Sequence, residues 1–209
     1  TTLLAQVDAS VGGKLGIDFD NCKNQLGVFR SPKLIIICSD FLYTLPVTEL
    51  RCGHAEMIKH SLISDNTSWD EQQMIDCSKV PSLASIRNSV LIKCRITEQD
   101  FSENGLRKQL NFGHTIGHAI ESFFLKSENI HISHGDAVAA GMIAETYLSK
   151  KYLGLSDIEA SSISQYISNN FPKIQVNSID KSFFRGALIQ DKKNHSGTIM
   201  ASLLKSIGN

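Results

Sequence analysis

The sequence predicts a mainly α-helical fold with a few short strands. Three observations carry that reading. Apolar residues recur at helical spacing in seven stretches, helix start and stop residues bracket several of them, and only two short runs read as strands. At 209 residues the chain suits a single domain with a proper core. Apolar residues at 42% and charged residues at 20% are those of an ordinary globular protein. Lys and Arg together number 21, as do Asp and Glu, so net charge argues for neither nucleic acid nor an anionic membrane as partner. No apolar run approaches the roughly 18 residues a membrane-spanning helix needs, and there is no signal-peptide pattern.

Five cysteines (Cys22, Cys38, Cys52, Cys77 and Cys94) lie scattered without a C-x-x-C. That usage fits buried or free thiols in a reducing cytoplasm, not a disulfide frame or zinc knuckle. The chain starts at Thr1-Thr2-Leu3-Leu4, without Met and already in apolar helical pattern, so an upstream domain is expected.

Thr2 to Ser10 reads as a short amphipathic segment leading into Ser10-Val-Gly-Gly-Lys14. Gly12-Gly13 marks a tight turn, either a plain surface turn or one that offers backbone N–H groups and Lys14 to an anion. It is not a P-loop, because the first glycine is missing and Leu15 stands where Ser or Thr is needed. A polar connection carrying Lys23 and Asn24 follows. Lys33-Leu-Ile-Ile-Ile-Cys38, bounded by Pro32 and Asp40, reads as a buried strand. Phe41 to Pro46 is a turn, and a helix is expected from about Thr48 to Ile63. On it Glu56 and Lys59 read as a pair on a solvated face, and the small-residue run Gly53-His54-Ala55 precedes the carboxylate. A short helix is expected over Trp69 to Asp76, then, after Pro81, a long one over Ser82 to Gln99. Lys93 sits at the edge of its apolar stripe, snorkelling or functional.

Asp100 to Arg107 is a loop or tight hairpin. It leads to Asn111-Phe-Gly-His-Thr-Ile-Gly-His-Ala-Ile-Glu121, where His114, His118 and Glu121 share one helix face. Phe112, Ile116, Ile120 and Phe123 form the opposite, buried side. An H-x-x-x-H pair alone is more often solvated than metal-bound. Gly113 and Gly117 on the histidine face, each costing about 1 kcal/mol in a helix, point to something that must approach closely. Ser133-His-Gly-Asp136 opens the most apolar helix, to about Tyr152, with His134 in its first turn, where the dipole favours a neutral ring. Gly154 stops it, and Ser156-Asp-Ile-Glu159 is a capping box for a helix to about Asn169. A last helix covers Ile179 to Gln190, followed by polar 191–197 and a short strand from Thr198 to Leu204.

Three separated elements thus offer zinc ligands: Glu56, His114 (or His118) and His134. One carboxylate, two imidazoles and an open position form a catalytic pattern. Lys14, Lys23, Lys59, Lys93, Arg107, Lys192 and Lys193 suit a small, multiply anionic substrate.

Gln6-Val-Asp-Ala-Ser-Val-Gly-Gly-Lys14, Lys23-Asn24, Phe41 to Pro46, Gly53-His-Ala-Glu-Met-Ile-Lys59, Glu103-Asn-Gly-Leu-Arg107, Leu110 to Glu121, His134-Gly-Asp-Ala-Val138 and Asp191-Lys-Lys193 occur in that order. In this the chain resembles the 3-dehydroquinate synthase family over nearly its whole length, specifically the C-terminal, metal-binding helical domain. The family's N-terminal NAD-binding domain has no counterpart, so the resemblance implies one metal- and substrate-binding domain over 1–209. It implies zinc, or cobalt in its place, on Glu56, His114 and His134, with Glu103 and His118 as acid/base residues. Asp8, Lys14, Asn24, Lys59, Lys93, Arg107, Asn111 and one of Lys192 and Lys193 would surround the substrate. Thr1, Thr2, Lys23 and the turn from Phe41 to Thr44 would face NAD. The implied substrate is the sugar phosphate 3-deoxy-D-arabino-heptulosonate 7-phosphate. Alternatives are a related sugar-phosphate cyclase or a non-catalytic metal-binding fragment, and a homodimer is left open. Leu15, Asp18, Cys52 and Asp136 depart from the family pattern.

Overall fold

A computed structural model describes residues 1–19, 22–125, 132–175, 181–189 and 198–209, without the side chains of 17–26. Seven α-helices are present among these residues: α1 (Val47–Leu62), α2 (Asn66–Gln73), α3 (Leu83–Gln99), α4 (His114–Leu125), α5 (His134–Leu153), α6 (Asp157–Asn170) and α7 (Lys181–Ile189). Each falls within a few residues of a stretch with helical apolar spacing.

The caps are those the residue types dictate. Ser82, Ser133 and Ser156 each accept a backbone N–H in the first turn of α3, α5 and α6. Ser156 and Glu159 complete a reciprocal capping box. Gly154 closes α5 at φ +80°, a left-handed position that costs glycine little.

The main core lies between α1, α2, α5 and α6. There Ile58, Leu62, Trp69, Val138, Met142, Ile163 and Ile167 are buried with Leu204 and Ile207 of the C-terminal segment. Trp69 meets Tyr166 edge-on, with ring centroids 5.4 Å apart. A second cluster joins Leu3 and Val7 to Leu42, Leu50, Met57 and Ile86. The N-terminal amphipathic segment forms a wide helical turn over Ala5–Ala9. Its Leu3 lies against Gly53, where any Cβ would collide with it. The small-residue run before Glu56 therefore makes room for Leu3.

Both expected strands are corrected. Residues 33–38 join no ladder, with a bend at Lys33, and Leu34 and Ile36 are 74% and 83% exposed. A β-branched run becomes a strand only where another strand accepts its hydrogen bonds. Residues 198–204 are also not a strand, apart from one bridge residue at Thr198. Their end is held by helices instead: Leu204 N donates to Ser149 Oγ (3.0 Å), Ile207 N to Glu159 Oε1 (3.0 Å) and Gly208 N to the Leu62 carbonyl (2.8 Å). The sheet that does form is a hairpin, β1 (Lys14–Phe19) with β2 (Cys22–Phe29), antiparallel with Lys14 opposite Phe29 and Leu15 opposite Val28. Its first strand leaves the Gly12-Gly13 turn, where both glycines have positive φ.

Candidate metal centre

α1, α4 and α5 converge at one point. Glu56 lies in the middle of α1, while His114 and His134 are the first residues of α4 and α5. Glu56 Oε1 is 3.3 Å from His114 Nε2 and 3.8 Å from His134 Nε2. Ligands about 2.0–2.1 Å from a tetrahedral zinc stand about 3.4 Å apart, close to both separations from Glu56 Oε1. Oε1 is buried and, among the described residues, meets no donor in good hydrogen-bond geometry, the state expected of a ligand atom. One ring nitrogen of His118 also lies within 4.8 Å of the corresponding atoms of His114 and His134.

The helices meet because glycine removes the side chains between them. A Cβ on Gly117 would come within 3.0 Å of the Ala137 carbonyl, and one on Gly141 within 2.7 Å of Gly117 N. Gly113 and Gly117 were expected to mark a close approach, and they do. What approaches closely is the backbone of α5.

Glu56 and Lys59 form their ion pair inside the protein, at 1% and 2% side-chain exposure, not on a solvated face. Burial opposes the carboxylate's charge, but the Lys59 ammonium and the flanking imidazoles hold it well below the usual carboxylate range. Burial and Lys59 together push the His114 ring down. Its Nδ1 is 3.1 Å from the Phe112 carbonyl, which fixes the proton there and turns Nε2 toward Glu56. Burial lowers His134 too, yet Glu121 and Glu56 outweigh it and raise its pKa to about 9. In the metal-free chain the two carboxylates thus favour a charged ring, where the place on α5 alone suggested a neutral one. A metal at Nε2 would displace that proton.

Glu121 Oε2 stands 3.1 Å from His134 Nδ1, the outer partner that orients a ligating histidine. The spacing had put Glu121 on the histidine face but gave it no role. His60, one turn after Glu56, was missed: its Nδ1 is 2.8 Å from Ser89 Oγ, and burial brings its pKa down to about 3. It sits beside Asp8, whose Oδ1 accepts from Lys93 Nζ at 2.6 Å. Lys93 is 7% exposed, which excludes the snorkelling reading.

A second group gathers around residues 100–111. The Asp100 carboxylate accepts the backbone N–H groups of Asn104 (2.9 Å), Gly105 (2.7 Å) and Arg107 (3.0 Å), curling the loop. The curl carries Glu103 at φ +61°, an uncommon conformation for a residue with a side chain. Glu103 pairs with Lys14 and accepts from Asn111 Nδ2 at 3.0 Å. Arg107 is 1% exposed, and its terminal nitrogens donate to the carbonyls of Phe101 and Gly12, both at 2.7 Å. Its guanidinium thus ties the loop to the glycine turn.

Thr1 and Thr2 are at the chain start, where Thr2 Oγ1 accepts from Ala5 N (3.2 Å). Phe41, 64% exposed, and Thr44 belong to the turn before α1. Lys23 and Asn24 lie on β2 with side chains outside the described set, and Lys192 and Lys193 lie outside the described residues.

A model of the 3-dehydroquinate synthase C-terminal region matches residues 53–194. The chain belongs to the 3-dehydroquinate synthase family. A model of the family's N-terminal region matches residues 1–52. The 3-dehydroquinate synthase of Parabacteroides distasonis is 44% identical over all of this chain and 60% of its own length. That of Bacillus pumilus is 39% identical over all of this chain and 57% of its own length. This member therefore spans between one half and two thirds of the relatives it matches. Among solved structures, 2-deoxy-scyllo-inosose synthase, complexed with carbaglucose-6-phosphate, NAD+ and Co2+, superposes with a TM-score of 0.82 at 24% identity, covering all of this chain and 58% of that one. The 2-epi-5-epi-valiolone synthase of Streptomyces hygroscopicus, with NAD+ and Zn2+ bound, gives 0.78 at 24% identity, again over all of this chain and 59% of that one. These two likenesses carry the fold. No helix among the described residues is long and apolar enough to cross a membrane.

Proposed function

We propose that this chain is the metal- and substrate-binding part of a 3-dehydroquinate synthase, a phosphate-eliminating lyase. The reaction converts 3-deoxy-D-arabino-heptulosonate 7-phosphate to 3-dehydroquinate and phosphate, in a cytoplasmic route to aromatic compounds. The observation that carries the reading is the buried Glu56 Oε1 held between two imidazole nitrogens. Family membership, and relatives at 39–44% identity that bear this name, support it.

Glu56, His114 and His134 would hold zinc or cobalt, and Thr1, Thr2, Lys23, Phe41 and Thr44 would face NAD bound to a further domain. When bound, the metal supplies Lewis-acid polarisation of substrate oxygens and NAD a reversible hydride acceptor. His118, beside both histidine ligands, takes and returns a proton at a ring nitrogen, with Glu103 as its acid/base counterpart. Lys14, 47% exposed at its side chain, swings between Glu103 and the substrate phosphate, with Asn24 and Lys192 as further contacts. Lys93 and Asp8 orient substrate hydroxyl or carboxylate groups, Asn111 fixes Glu103, and Lys59 keeps Glu56 charged. Arg107 acts by holding the glycine turn near Lys14.

The test is phosphate release from the heptulosonate phosphate, with zinc and NAD, by this chain joined to a nucleotide-binding domain and by the chain alone. Turnover is expected only from the joined protein and is abolished by His114→Ala. Release by neither would reject the proposal. A related cyclase is the second reading, favoured by a TM-score of 0.80 to 2-deoxy-scyllo-inosose synthase at 25% identity. Turnover of a hexose phosphate in place of the heptulosonate would select it.

A further inference from the structure

We propose that Glu145 is a positioning residue of the metal centre, its buried carboxylate holding the first turn of α4 so that His114 faces Glu56. The inference rests on the metal reading above. Glu145 lies on α5, eleven residues after His134, and is 0% exposed. It is the sole acidic residue of α5 beyond the first turn.

Its two carboxylate oxygens accept from Gly113 N at 2.6 Å and Ile116 N at 3.1 Å. These N–H groups open α4, where a helix has no internal acceptors to offer them. Phe112 and Gly113, which precede the helix, carry no polar side chain that could cap it. The cap is therefore supplied from the neighbouring helix, and a negative charge suits the positive end of α4.

The effect reaches the metal through one short path. Gly113 has φ +79°, and a Cβ there would meet the Val138 carbonyl at 3.0 Å as well as Met142, so the turn is locked against α5. The locked turn aims the Phe112 carbonyl at His114 Nδ1, 3.1 Å away. With its proton held on Nδ1, His114 presents Nε2 to the site, 3.3 Å from Glu56 Oε1. Carboxylate, amide, carbonyl and imidazole form one line from the interior to the ion. Without Glu145 two buried N–H groups lose their acceptor, and the turn that orients the ligand is free to relax.

The test titrates the chain with Co2+, read by its visible absorption, and with Zn2+ in competition with a chromophoric chelator. Each variant is studied where circular dichroism shows it folded. Glu145→Gln is expected to weaken both ions 10- to 100-fold, the range for loss of an outer partner, and to shift the His114 Nδ1 signal in 15N spectra without metal. Ser149→Ala, one turn further along α5, removes the acceptor of Leu204 N. It is expected to lower Tm and leave affinity unchanged, as a purely structural role would. Equal affinity for wild type and Glu145→Gln overturns the inference. Should Glu145→Gln not fold, Glu145→Asp, charged but a methylene short, is read by the same criterion. A wild-type chain that binds no metal, or binds it regardless of His114→Ala, defeats the metal reading first and this inference with it.

Discussion

Gly141→Ala gives the sharpest test of how the metal site is assembled, because two effects predict opposite signs. Gly141 sits inside α5, where replacing glycine with alanine ordinarily stabilises a helix by about 1 kcal/mol. Here the added methyl would stand 2.7 Å from Gly117 N, against the 3.4 Å at which ordinary contact begins, and nearer still to the Gly113 carbonyl oxygen. Both obstacles are backbone and cannot rotate away. The Gly113 oxygen, 2.0 Å away, would have to recede from α5 by about 1.4 Å to reach ordinary contact, at the overpacking cost of about 1–3 kcal/mol or more. The net expectation is a loss of roughly 1–2 kcal/mol or more, together with weaker Zn2+ binding, since His114 and His134 ride on the two helices. Gly186→Ala in α7 is the control. None of the described residues lies within 4 Å of its added methyl, so it should gain about 0.5–1 kcal/mol. Urea denaturation of the three chains measures both. A Gly141→Ala chain as stabilised as Gly186→Ala would refute the close backbone contact and the account of how the ligands meet.

Lys59→Ala should cost about 3–5 kcal/mol in the metal-free chain, because it leaves Glu56 charged and buried without its cation. Lys14→Ala, which breaks an exposed pair, should cost under about 1 kcal/mol while sharply lowering turnover, so thermal melts and activity should separate the two lysines. Glu121→Gln should weaken Zn2+ binding roughly 10- to 100-fold in chelator competition, and an unchanged affinity would count against His134 as a ligand. Glu159 accepts from Ser156 and Ile207, which hold its carboxyl below the ordinary value. A depressed folded-state value means the unfolded chain binds the proton more readily, so this stabilisation is complete at neutral pH and fades as pH falls through the carboxylate range. Glu159→Gln should therefore cost about 1 kcal/mol at pH 7 and progressively less below pH 4, as followed by denaturation at several pH values.

What could be read from the residues was what local physics decides. Helices, their serine caps and the Gly154 stop follow from interactions a few residues apart, and they stand where the spacing put them. The runs at 33–38 and 198–204 were read by composition, but a ladder depends on a distant partner, and among the described residues only Thr198 makes a single bridge. The hairpin at 14–29 left a trace in the alternation of Leu15, Ile17 and Phe19, hidden beneath the surrounding polar residues. At the site, the spacing of His114 and His118 was local and legible. The convergence of Glu56 and His134 depends on tertiary packing, so the residue types could suggest it and the motif resemblance strengthen it, but spacing could not show it. Glu56 and Lys59 looked like a surface pair because nothing nearby in sequence says that α4 and α5 cover that face. His60 and Glu145 were passed over for the same reason: Ser89, Gly113 and Ile116 are far from them along the chain.

The unladdered run at 33–38 has a practical side. Leu34, Ile35 and Ile36 are open to solvent side by side, so a concentrated solution of this chain carries an apolar run prone to self-association. Pro32 and Lys33 guard one end and Asp40 the other, leaving the middle unprotected. Changing Ile36, at 83% exposure, to lysine should keep the protein soluble to higher concentration without disturbing its core.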